Sequence, residues 1–152
     1  MRAIGLCAVA IFLLACADEP EAEGEEGLPA AGTLSLQPIT FEDLEKNDLF
    51  GAGCYILAGE GEDMVFLGDD LRGAVKLDGR IVLLSPDDAS AELPYLSRER
   101  YEGAELNILL GLPEGDGEPV GEEAVRWPGS IEITDKSGKT IYAAEGILEC
   151  GA

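Results

Sequence analysis

The chain has 152 residues, 31 of them acidic and 10 basic, giving a formal net charge of −21, and it contains no histidine. This balance excludes nucleic acid as a partner, because phosphate backbones demand clustered Lys and Arg, and it disfavours adhesion of a folded domain to anionic headgroups. The missing imidazole removes Ser-His-Asp and Cys-His nucleophile pairs, His-containing zinc sites and histidine acid–base catalysis.

Arg2 is the only charge before Asp18, and residues 3–14 form an unbroken apolar run. A bilayer span needs about 20 apolar residues, whereas the apolar core of a secretory leader runs roughly 7–15, so the run reads as a leader. It ends in Leu13-Leu14-Ala15-Cys16. That tetrapeptide, so close to the N-terminus, resembles the lipobox of bacterial lipoproteins. The resemblance implies cleavage after Ala15, a diacylglyceryl thioether on Cys16 and acylation of the new amino group with a palmitate-type chain. One acyl chain binds a membrane only marginally, so several are needed for a lasting anchor. Two other readings are an ordinary cleaved leader with a coincidental Cys16 and an uncleaved helix, which the acids directly following disfavour. In the Gram-negative sorting rule, Asp after the lipidated Cys retains a lipoprotein on the inner membrane. Ala17 stands there instead, which resembles an outer-membrane lipoprotein facing the periplasm or the surface.

The resulting division is a signal peptide over residues 1–15, a lipidated Cys16 with an acidic tether over 16–36, and one domain over 37–152. The tether carries Asp18, Glu19, Glu21, Glu23, Glu25 and Glu26 with no base, together with Pro and Gly and no aromatic residue. Such composition cannot bury enough apolar surface to fold, and twenty such residues reach about 25 Å.

Thr40 before Glu42 and Asp43 reads as the cap and first turn of a short helix, with Phe41, Leu44 and Phe50 laid on the edge of the core. Asn47, Asp48 and Gly51 stop it. From Cys54 the pattern becomes strand-like: residues 54–58, 64–67, 74–77 and 80–84 are short β-prone runs. Asp78-Gly79 between the last two demands positive φ at both positions and predicts a type I′ hairpin, with Val75 and Leu77 inward and Lys76 towards solvent. Residues 85–94 read as a loop, 97–101 as an edge strand, and 104–112 as a strand covered on both faces because Leu109 opposes Leu106, Ile108 and Leu110. Residues 113–123 read as a loop. Residues 130–134 pair with 139–144 across the turn 135–138, and Gly146 marks a bulge before Cys150. Seven or eight hairpin-linked strands behind a short helix define an all-β antiparallel sandwich or small barrel.

Cys7 leaves with the leader and Cys16 takes the lipid, so Cys54 and Cys150 form the natural disulfide in an oxidising compartment; two free thiols are the alternative. A closed loop near 100 residues contributes about 4.7 kcal/mol by the chain-entropy argument. The Gly-Ala-Gly-Cys opening of the domain and its Glu-Cys-Gly close are similar to small bacterial lipoproteins with a β-rich domain, a resemblance that implies no activity.

The acid-rich loops 59–63 and 114–118 supply hard oxygen ligands suited to Ca²⁺, but neither matches the twelve-residue calcium loop, and solvated turns are the plainer reading. Glycosidase chemistry needs two acids about 5–9.5 Å apart with one pKa raised, and so many carboxylates single out no pair. The serines lie in no Gly-x-Ser-x-Gly elbow, and no phosphate-binding glycine loop is present. No catalytic residue, metal ligand or cofactor is therefore assigned. Aromatic and Arg side chains are favoured at binding hot spots, which singles out Tyr95, Arg98, Arg100, Tyr101, Arg126 and Trp127 as a candidate surface. Trp127, just before Pro128, reads equally as a plug for one end of the core.

The expectation is a lipid-anchored envelope protein whose β domain is a non-enzymatic binding module. One form is inhibitor-like towards a basic envelope or extracellular protein, as in lysozyme-inhibitor modules, an analogy of fold and charge alone. A carboxylate-dependent hydrolase, a Ca²⁺-dependent module and a structural envelope component are the alternatives.

Overall fold

Successive side chains of a strand point to opposite faces, so each strand between Cys54 and Cys150 turns one apolar row inward, and those rows converge when the sheet closes on itself. The computed structural model describes residues 34–60, 62–112 and 115–152. The leader, the lipobox with Cys16, and all of the tether before Leu34 lie outside the described residues.

The elements in order are α1 (Phe41–Asn47), β1 (Gly53–Ala58), β2 (Asp63–Gly68), β3 (Gly73–Leu77), β4 (Arg80–Pro86), β5 (Arg100–Glu102), β6 (Leu106–Gly111), β7 (Glu118–Val120), β8 (Ala124–Asp135) and β9 (Thr140–Gly151). Strands pair antiparallel in the order β6-β5-β4-β3-β2-β1-β9-β8, and a further β6–β8 ladder closes them into an eight-stranded barrel. Between the sandwich and the barrel, the fold is the barrel. The ninth strand, β7, lies outside the ring on the first residues of β8. It falls within the loop expected over residues 113–123, because three residues that include Pro119 carry no strand pattern.

The barrel interior is solid. Ile56, Phe66, Val75, Ile108, Leu110, Ile131, Ile133 and Leu148 are fully or almost fully buried, as expected of eight strands, whose interior is just wide enough for side chains. Cys54 and Cys150 are direct register partners on β1 and β9 and are joined by the disulfide, so the first and last strands of the barrel are stapled to each other.

A second apolar layer sits on the outer face of β1–β4. Ile39, Leu44 and Leu49 cover Tyr55, Leu67, Ala74 and Ile81. The helix that carries this layer starts at Thr40, whose Oγ1 accepts from the Asp43 amide while Asp43 accepts from the Thr40 amide, a capping box. The Asp78-Gly79 turn has φ of 49° and 75°, the left-handed pair that a type I′ turn requires.

Several expectations need correction. Phe41 and Phe50 do not lie on the core edge; both are exposed, because Leu44 and Leu49 take that position. Lys76 does not face open solvent but reaches α1 and donates to Asp43 at 2.7 Å. The edge strand expected over 97–101 is the three-residue β5, paired on both sides, since closure leaves it no free edge. Leu109 is uncovered on the outside of the barrel. Gly146 is not a bulge: β9 runs straight through it opposite Gly129, and a Cβ there would strike the Leu57 carbonyl oxygen of β1. Leu34 and Leu36, read as tether, pack partly buried against the core, with the Leu34 amide donating to Ile141 O at 3.2 Å.

Segment 34–37 therefore crosses the end of the barrel formed by the β1–β2, β3–β4 and β8–β9 turns. The opposite end carries the α1–β1 connection, the β2–β3 turn, the β4–β5 loop and the C-terminus.

Candidate functional site

At that opposite end the chain keeps large apolar side chains out of the core. Phe50 is 52 % exposed, Leu71 72 %, Leu96 56 % and Tyr95 39 %, and all four line one open groove of about 460 Å³ with Asp69, Asp70 and Arg72. Phe41, 71 % exposed, extends the patch by stacking on Phe50 with ring centroids 5.3 Å apart. Contiguous exposed apolar surface of this kind marks interaction sites far more often than isolated exposed leucines do.

Local chemistry explains the projection of Leu71, Tyr95 and Leu96. Asp69 Oδ1 accepts from the amides of Leu71 and Arg72, both at 2.7 Å, and this Asx turn pushes Leu71 outward. In the Pro94–Leu96 turn, Tyr95 and Leu96 both adopt left-handed backbone, with φ of 58° and 60°. Two successive bulky residues in that region cost on the order of 1–3 kcal/mol each, so the surroundings must hold them there. The turn is clamped on both sides: the Leu93 amide donates to Ser97 O at 2.9 Å, and the Tyr95 hydroxyl donates to Glu123 O.

Below the groove, the Ser97 hydroxyl, fully buried, donates to Gly68 O at 2.8 Å. Tyr101 accepts from the Arg98 amide and donates to Asp69 O, both at 3.0 Å, and burial pushes its phenol pKa up. These bonds tie the β2–β3 turn to the β4–β5 loop. Cys54 Sγ lies 3.5 Å from Pro94 O, so the disulfide sits directly beneath the turn that presents Tyr95 and Leu96.

Of the residues singled out in the sequence, only Tyr95 belongs to this rim. Tyr101, expected at a binding surface, is fully buried and stacks edge-on against Phe66 at 5.2 Å, because Gly68 and Gly73 leave a slot for its ring. Arg98 braces the β4–β5 loop, 3.8 Å from Asp88 and 3.5 Å from Glu92. Arg100 lies on the outer wall in a shallow depression of about 260 Å³ with Leu109 and Glu132. Arg126 forms an ion pair with Glu149 at 2.5 Å. Trp127 packs partly buried on the core and donates to Gly115 O at 3.2 Å, beside a groove lined by Pro128, Gly146 and Ile147. The six residues therefore form no common surface: Tyr101 lies in the core and the other five are spread over the rim, its loop and separate parts of the outer wall. Phe50, Leu71 and Leu96 were missed; the one signal available was a lone apolar residue inside a turn, as at Asp69-Asp70-Leu71.

Three carboxylates are held below the usual range, each mainly by a hydrogen bond: Glu42 by Lys46, Asp43 by Lys76 and Asp135 by the Ser137 hydroxyl. A general acid needs the opposite shift. Among the described residues, no three Asp, Glu or Cys side chains converge as a metal site. Comparison of the chain with known protein families, with curated proteins and with solved structures finds no match. Fold and site together define a closed antiparallel barrel with a filled interior and an apolar rim at one end.

Proposed function

We propose that this chain is a lipid-anchored protein of the bacterial envelope, held through Cys16, whose barrel is a non-enzymatic binding module. The observation that carries the binding role is the rim: Phe50, Leu71, Tyr95 and Leu96 exposed around one groove on a backbone that holds two of them in strained conformations. The described chain begins at the other end, where Leu34 meets β9, so the point from which a tether would depart lies opposite the rim.

Two measurements test this reading. Mass spectrometry of the mature chain from membranes should find acyl chains on Cys16. A photocrosslinking residue at position 96 should capture a partner in the native envelope, whereas one at exposed Leu109 should not. An unacylated Cys16 removes the anchor, and equal capture from both positions removes the rim.

A further inference from the structure

We infer that the rim receives a basic protein surface carrying an apolar cleft, with Leu96 and Tyr95 as the inserted side chains; this rests on the reading of the rim as the binding surface. Asp69 and Asp70 line the groove itself, and Asp48, Glu122 and Glu123 stand in the loops of the same end. Among the described residues, the bases in those loops are Arg72 and Arg98. Arg72 donates to Asp48 O and lies 3.9 Å from Asp69, while Arg98 lies between Asp88 and Glu92. Arg98 is held by two acids outside the groove, and Arg72, itself on the groove, offsets one of the five acids named, so this end keeps a negative excess that sets the local field.

That field selects among occupants. A second copy would bring the same acidic loops against themselves, and like charges brought together across an interface oppose association. The acidic stretch of this chain, residues 18–26, is repelled for the same reason. Anionic lipid is repelled as well. A basic surface is steered towards the rim, and its apolar cleft then buries Leu96 and Tyr95, whose left-handed backbone already holds them out. Pre-ordering of those two side chains reduces the entropy lost on docking.

The test uses the purified full chain and three labelled peptides of equal length, alternating Lys/Leu, Lys/Gly and Glu/Leu, with neutral phosphatidylcholine vesicles as a fourth probe. The Lys/Leu peptide should bind, weaken as NaCl is raised, and lose about tenfold or more in affinity in the separate variants Leu96→Asp and Leu71→Asp. Leu109→Asp, on the outer wall, should bind as the unaltered chain does. Circular dichroism of each variant separates loss of binding from loss of fold, and the two rim positions, being on different loops, check each other. Equal binding of Lys/Gly, with no effect of either rim variant, would reduce the interaction to bulk charge and overturn the inference. Preferential binding of Glu/Leu or of vesicles would overturn the partner class while leaving the rim a binding surface. If neither rim variant affects any probe, the rim reading falls as well.

Discussion

Asp43 shows how much one side chain can gather. Its Oδ2 accepts from Lys76 Nζ at 2.7 Å, from the Thr40 amide at 2.8 Å and from the Thr40 hydroxyl at 2.7 Å. One carboxylate thereby caps the helix and fastens it to β3. The Lys76 hydrogen bond, followed by the two from Thr40, holds the carboxyl well below its ordinary value of 3.8. A carboxyl whose folded pKa is depressed stabilises the fold fully above its unfolded value, and that contribution is lost as pH falls through the window between the two. Asp43→Asn should therefore be less stable than the unaltered chain at pH 6, and the difference should close steadily below about pH 4. Thermal unfolding of both proteins from pH 6 to pH 2 measures it, and a difference that stays constant with pH would remove Asp43 from this role.

Elements were legible in the sequence where their cause is local. Thr40 with Asp43 specifies a helix start through two hydrogen bonds within four residues, and Asp78-Gly79 specifies a hairpin through its own φ angles. Cys54 and Cys150 could be paired by elimination. What could not be read depends on closure. Tyr101 belongs to a three-residue strand, and its burial is set by Gly68 and Gly73, which face each other across β2 and β3 more than 25 positions earlier in the chain. The rim was hidden for the same reason: Phe50, Leu71 and Leu96 come from three separate loops that only the closed barrel brings to one end. The glycine slot can be tested. A Cβ at Gly73 would sit 2.7 Å from Tyr101 Cδ1 and 3.2 Å from Phe66 Cε2. Gly73→Ala should lower the unfolding free energy by about 1–3 kcal/mol, the usual cost of overpacking. Combined with Tyr101→Leu, which empties the slot, the cost should be less than additive. Strict additivity in urea titrations would show that the alanine methyl finds room without displacing the ring.

On the scale of the whole molecule, the disulfide belongs at once to the barrel and to its working end. Cys54 and Cys150 sit at the seam between the first and last strands, at the rim end of the barrel. The same Cys54 sulfur underlies Pro94, and the turn it supports is the one whose backbone is strained. The opposite end has no such bridge among the described residues and relies on the β3–β4 hairpin and on Leu34 and Leu36. Removing the bridge should therefore act unevenly. Replacing both cysteines by Ala should cost about 2–5 kcal/mol of global stability, the range for a native bridge closing a loop near 100 residues. The added effect should be local: amide hydrogen exchange over residues 93–98 should accelerate more than exchange over the β3–β4 hairpin, because strained segments open first when their support goes. Affinity at the rim should fall with it, since Leu96 and Tyr95 would no longer be held out before docking. Acceleration by the same factor at both ends would mean that the bridge stabilises the barrel alone, and that the rim keeps its shape without it.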